Sequence, residues 1–151
     1  MQVTTNNENK QTVDQLNSFL RGELSATETY RLALSKLPTS PNRPVLEQCA
    51  RSHEYRVRLI TDEIHRLGGT PSDDSGAWGT FAKLIESGAQ LFGENTAVAA
   101  LEQGEDYGKS DYDRDLSKLE RSARSLIESK VKPEQIRTHM AMSLLKNSLA
   151  S

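Results

Sequence analysis

Two glutamates, one histidine and two tyrosines carry the pattern from which this sequence could build chemistry. Glu23 and Glu105 each fall on an otherwise apolar helical stripe, and each is followed seven residues later, on the same face, by a tyrosine, Tyr30 and Tyr112. His53 lies on a third apolar stripe. A lone carboxylate is costly to bury, so these residues need partners. Two Glu and one His projecting into one centre would offer carboxylate oxygen and imidazole nitrogen, a donor set suited to iron, manganese or zinc. The metal-free reading is a buried polar cluster, with the carboxylates accepting from the tyrosine hydroxyls and the imidazole. If Glu23 met only neutral groups there, Glu23→Gln would spare the cost of burying a charge and leave stability level or raised.

The elements that must position these residues are helices. From about Thr12 to Leu37 the stripe runs through Leu16, Leu20, Glu23, Thr27, Tyr30, Leu34 and Leu37, alternating four and three. Thr12 is the expected cap and Pro38 the stop. Residues 1–11 lack periodicity and are expected to be a disordered N-terminal arm, leaving a single domain over 12–148. After the turn-rich Leu37–Pro44 run, a second stripe passes through Leu46, Ala50, His53, Val57, Ile60, Ile64 and Leu67. Gly68-Gly69 and then Pro71 end it. A shorter amphipathic piece, Ala77–Leu91, carries Trp78, Phe81, Leu84 and Ile85 and is expected as a short extra helix in the crossover. The third long helix starts near Glu94, with Val98, Leu101, Glu105, Gly108, Tyr112, Leu116 and Leu119 on its stripe. The fourth begins near Glu120 through Ala123, Leu126, Ile127 and Val131. Pro133 should kink or break it before it resumes through Ile136, Met140, Leu144 and Leu145. No segment alternates with period two over a strand's length. The class is all-α, a four-helix bundle with one longer crossover.

Composition narrows the function. At 151 residues, with a net charge of −2, there is no general basic field for nucleic acid or anionic membrane. No apolar run approaches the roughly 20 residues of a membrane span, and MQVTTNNENK has no signal pattern, so a cytoplasmic protein, or an already processed one, is expected. The single Cys49 excludes an internal disulfide or a CxxC motif and reads as a small buried hydrophobe. Arg51, Arg56, Arg58 and Arg66 give the second helix a basic, salt-bridged outer face. Asp62 and His65 leave the stripe and read as a solvated pair, whereas His139 stands where the fourth helix could approach the core. There is no Gly-rich phosphate loop, no GxSxG and no HExxH.

The chain repeats itself. Gly22–Leu37 and Gly104–Leu119 match at seven of 16 positions without a gap, the Gly-Glu pair, the Tyr and Leu-Ser-Lys-Leu among them. A weaker echo sets Glu47–His53 against Glu120–Leu126. Together they suggest a duplicated helix pair.

Glu and Tyr at this spacing on the first and third helices of a duplicated bundle resemble the ferritin-like superfamily. The stretches IHRLGGTPSDDSGAWG, LEQGEDYGKSDYDRDL and ARSLIESKV are similar to those of an uncharacterised bacterial family of ferritin-like four-helix-bundle proteins, a domain of unknown function. The resemblance covers about Leu16 to Met140 and implies a fold rather than an activity. Ferritin-like di-iron sites take one Glu from each of two helices and a Glu-x-x-His pair from each of the others. The quartets that the echo aligns here are Ala50-Arg51-Ser52-His53 and Ala123-Arg124-Ser125-Leu126. Both bridging Glu positions would then be Ala and one His would be Leu, leaving Glu23, His53 and Glu105. The expectation is a non-catalytic ferritin-like bundle with a degenerate di-iron site, no cofactor, and a structural or interaction role. The alternative is a metal-binding protein or oxidoreductase with a single Fe, Mn or Zn ion on Glu23, His53 and Glu105, the tyrosines Tyr30 and Tyr112 standing behind them. No nucleic acid or membrane partner is expected, and self-association would run through helix faces or the Trp78 region.

Overall fold

The computed structural model describes residues 2–73 and 93–150. The described residues are helical, with no strand among them. Helix α1 (Gln2–Lys36) takes in the stretch expected as a disordered arm, so its start lies well before Thr12. Thr12 is therefore no cap: it is buried, and its Oγ1 accepts from the Glu120 backbone N–H at 2.9 Å, tying α1 to a later turn. Once a helix is nucleated, each further residue adds a hydrogen bond, which lets the packed part propagate outward.

Helix α2 (Arg43–Arg66) starts with Pro44 in its first turn, where a missing N–H costs nothing. It stops at Leu67 because Gly68 turns left-handed, φ 78°, and the Gly69 N–H folds back onto the Ile64 carbonyl at 2.9 Å. Gly69 also faces Val13 so closely that a Cβ would lie 2.6 Å from its methyl carbon. The expected Ala77–Leu91 helix, with Trp78 and Phe81, lies outside the described residues. Helix α3 (Glu94–Asp115) runs into a 3₁₀ turn, Leu116–Lys118.

The fourth helical run is where sequence and structure part. Helix α4 (Arg121–Leu126) is capped by the Glu120 side chain, which accepts from the Ala123 N–H at 2.7 Å, so the expected start near Glu120 holds. A π-helical turn (Ile127–Val131) then leads into α5 (Lys132–Ala150). Pro133 does not break the run. It falls in the first turn of α5, just after the π turn, whose wider winding moves the upstream carbonyls that a proline ring would otherwise strike. The π turn also fixes which face is buried. Ala123, Ile127, Val131 and Gln135 are all buried, a series of four-residue steps that would rotate by about 40° each on an ideal helix. Downstream, Thr138, Met142 and Leu145 face inward, while Ile136, Met140 and Leu144, expected to carry the helix's apolar stripe, are exposed.

Helix α1 packs along α2, and α3 along α5. Two apolar clusters hold the bundle. One joins Leu16, Phe19 and Leu20 to Ile60, Ile64, Tyr112, Leu119, Ala123, Ile127 and Val131. The other joins Tyr30 and Ala33 to Leu46, Cys49, Ala50, Ala97, Val98, Leu101, Met142 and Leu145. Along each of the four helical runs, most of the large buried side chains between these clusters are polar or charged.

Candidate functional site

That polar layer holds Glu23 from α1, His53 and Arg56 from α2, Glu105 from α3, and Gln135 and Thr138 from α5, all buried. The His53 imidazole stands between the two carboxylates. Nδ1 lies 2.6 Å from Glu23 Oε2 and Nε2 lies 2.7 Å from Glu105 Oε1. Each tyrosine donates to the carboxylate of the other helix: Tyr30 Oη to Glu105 Oε1 and Tyr112 Oη to Glu23 Oε1, both at 2.7 Å. The five residues singled out from sequence are thus brought together.

Arg56 is the residue that sequence reasoning misplaced. Instead of joining a basic outer face it is 1 % exposed, with Nη1 donating to Glu23 Oε1 at 3.3 Å and Nη2 to Thr138 Oγ1 at 2.7 Å. The Thr138 hydroxyl in turn donates to Glu105 Oε2 at 2.8 Å. Arg56 Nη2 also donates to Ser52 Oγ at 3.1 Å, and Ser52 donates to Glu134 Oε2 at 2.6 Å. The approach of Arg56 Nη2 to His53 Nε2, at 3.4 Å, is a contact between two N–H groups, because that ring nitrogen is already committed to Glu105. The signal was present in the sequence: Cys49, His53, Arg56 and Ile60 step by four, three and four, whereas Val57, placed on the seam, is only partly buried.

The protonation states follow from this geometry. Both imidazole nitrogens meet carboxylate oxygens, so both must donate and His53 is an imidazolium. Burial and Arg56 oppose that charge, but Glu105 and Glu23 outweigh them and raise the His53 pKa above its ordinary 6.5. Burial alone would raise Glu23, yet Arg56 and His53 hold its carboxyl at about 2. Glu105 is likewise lowered, by His53 and Arg56 against the cost of its burial. Burial together with the adjacent carboxylate raises Tyr30 and Tyr112 well above 10.0, so both hydroxyls remain donors. The layer therefore balances two carboxylates against two protein cations. Cys49 packs beside it, its thiol pushed up to about 12 by burial and by Glu105, and so inert.

The inward residues pair off at a single sequence offset. Arg56 and Thr138 are 82 residues apart, and so are His53 and Gln135, Glu23 and Glu105, and Tyr30 and Tyr112. The quartets aligned by the weaker echo do not meet here: Ala50 packs in one apolar cluster, Ala123 in the other, and Leu126 in neither. Carrying the offset of the strong repeat into the second helix pair would have pointed to Gln135 and Thr138.

Beside Glu23, His53, Arg56 and Glu105, with Gly22, Gly104 and Gly108 in its wall, lies a cavity of about 20 Å³. That is room for roughly one water-sized molecule. Arg56 Nε and Gln135 Oε1, on residues that line it, have no hydrogen-bond partner among the described residues. His139 does not approach this layer; its Nε2 faces Asp106 on the outside of α3 and α5. His65, Asp62 and Glu28 are exposed.

No helix among the described residues is long and apolar enough to cross a membrane. Residues 11–118 match the family described as Domain of unknown function (DUF2383). No curated protein and no solved structure matches the chain.

Proposed function

We propose that this chain, which belongs to the DUF2383 family, is a ferritin-like four-helix bundle whose metal-binding layer has been converted into an internal ion network, and that its role is structural or interactive rather than catalytic. Ferritin-like di-iron sites draw a Glu from each of two helices and an i,i+3 Glu-x-x-His pair from each of the others. The six inward positions here have that layout: Glu23, Glu105, the i,i+3 pair His53 and Arg56, and the i,i+3 pair Gln135 and Thr138. The constant offset of 82 residues is what a duplicated helix pair would leave. Four of the six positions have lost the ancestral type, and two of them now carry positive charge.

The observation that carries the reading is Arg56 on Glu23, with His53 spanning both carboxylates. A guanidinium and an imidazolium neutralise Glu23 and Glu105 without an ion. A dication held by Glu23, His53 and Glu105 would face Arg56 at close range, and the carboxylates sit on opposite edges of the imidazole, so the donor set fits a metal poorly. The 20 Å³ cavity is also far below the roughly 300 Å³ at which small-molecule pockets begin. Thermal melts test this in a His139→Ala background, which keeps the half-buried histidine on α5 out of the result. The melting point is expected to be the same with chelator, Mn²⁺ or Zn²⁺. A rise with metal that Glu23→Gln abolishes would instead establish the single-metal protein.

For the interaction role, the face we assign is the α5 stripe of Ile136, Met140 and Leu144, 48 %, 57 % and 65 % exposed. The stripe is symmetric about Met140, so an antiparallel second copy would set Ile136 against Leu144. Solution mass reads this directly: a dimer that Met140→Glu converts to monomer supports it, and a monomeric wild type refutes it.

A further inference from the structure

Outside the buried layer, α3 and α5 bring a second set of carboxylate and imidazole groups together. Glu102 and Asp106, one turn apart on α3, face His139 on α5, and one donor atom from each lies within 4.8 Å of the other two. We propose that Glu102, Asp106 and His139 form a solvent-accessible site for one transition-metal dication of the zinc class, clamping α3 to α5. The proposal stands apart from the reading of the buried layer, with which it shares no residue.

Three features carry it. The first is reach. Ligands each about 2 Å from an ion lie within roughly 4 Å of one another, and a small rotamer shift of the exposed Asp106 side chain closes much of the remaining gap. The His139 and Asp106 side chains are 25 % and 56 % exposed, so an ion can arrive and water can complete its shell. The second is charge. Glu102 already draws a cation: Lys146 Nζ stands 3.3 Å from its Oε2, and Ser143 Oγ donates to its Oε1 at 3.4 Å. His139 Nε2 meets Asp106 Oδ1. A dication would balance both carboxylates together and take the imidazole as a neutral ligand, which no single lysine does. The third is that the set is not a remnant of the duplicated layer. At the 82-residue offset its counterparts are Leu20, Leu24 and Val57, which pack with an apolar cluster. Only the second half of the chain presents donor atoms at these positions. The imidazole selects the metal class, because Mg²⁺ and Ca²⁺ prefer all-oxygen sites, whereas zinc and its neighbours accept nitrogen.

Titration calorimetry of the tag-free full chain with Zn²⁺, repeated with Co²⁺ while following visible absorption, tests it. One equivalent of Zn²⁺ is expected, with a rise in melting point and no competition from millimolar Mg²⁺ or Ca²⁺. His139→Ala should weaken binding by at least about tenfold and should remove the cobalt band, as should Asp106→Asn. His65→Ala, which changes an exposed histidine elsewhere, should leave both intact. Lys146→Gln removes the competing cation and should tighten binding about two- to fivefold. Circular dichroism confirms that each surface variant is folded. No binding by the wild type at up to millimolar Zn²⁺ overturns the proposal. So does undiminished binding by His139→Ala, or equal affinity for Ca²⁺, which would reduce the set to an ordinary acidic surface.

Discussion

Two regions of this protein hold the same functional groups, two carboxylates and one imidazole, and put them to opposite uses. In the buried layer, Glu23, Glu105 and His53 are closed off: each imidazole nitrogen has a carboxylate, each carboxylate has a tyrosine hydroxyl, and Arg56 supplies the remaining charge. On the outside of α3 and α5, Glu102, Asp106 and His139 bring one donor atom each within 4.8 Å of one another, at an edge that water reaches through Asp106 and His139. The difference lies in burial and in the neighbouring cation. A guanidinium locked in a low-dielectric interior cannot leave, whereas the exposed Lys146 exchanges readily with solvent and other ions. Residue type alone therefore does not identify a metal site. What matters is whether the groups that already hold the donor atoms can give way.

The comparison breaks most visibly at Arg56. Arg56→Met keeps an unbranched apolar stem but removes the guanidinium and leaves Glu23 and Glu105 facing His53 alone, an uncompensated buried negative charge. A loss of about 3–5 kcal/mol is expected in urea denaturation. Glu23→Gln should also destabilise, because it strands Arg56 and His53 beside a neutral group. This reverses the expectation drawn from sequence, which assumed neutral partners. A variant at either position as stable as wild type would show that the layer is not held by charge.

The next largest effect is on pH dependence. Glu23 falls from 4.5 to about 2 on folding, so its contribution is complete above the unfolded value and is lost as pH falls from 4.5 through 2. That shift corresponds to about 3 kcal/mol, and Glu105 acts in the same direction. His53 is raised above 6.5, so its contribution is complete below pH 6.5 and is lost as pH climbs through the folded value. Melting temperature measured from pH 3 to 9 should therefore form a plateau that falls away at both ends. A profile flat on the alkaline side would contradict the imidazolium.

The smallest effect is expected at the surface. Without metal, His139→Ala should change stability by no more than about 0.5 kcal/mol, since the side chain is partly solvated and its pairing with Asp106 is exposed. A larger loss in metal-free protein would mean that the two regions are more alike than their burial implies.

Much of the helical frame was legible in the sequence. The four-and-three spacing of apolar residues defined the inward faces of α1 and α3. Gly68 and Pro44 marked the ends of α2, and the Gly-Glu…Tyr repeat identified Glu23, Glu105, Tyr30 and Tyr112 as inward and equivalent. These features are local, encoded in periodicity and turn chemistry along one segment at a time. His53 was legible for the same reason. The inward role of Arg56 was not, because an arginine on a helix is ordinarily solvated and only partners from three other helices make its burial tolerable. Those partners, Glu23 on α1, Glu105 on α3 and Thr138 on α5, lie far away along the chain. The face of α5 was hidden too. Local propensity favours Ile136, Met140 and Leu144 inside, but the π turn before Pro133 rotates Gln135 and Thr138 inward instead. By itself, then, the sequence determined where helices form and which stripes seek cover. Only the tertiary structure decided which charges meet, because pairing free energy depends on distances and dielectric surroundings that exist only once all four helical runs have packed.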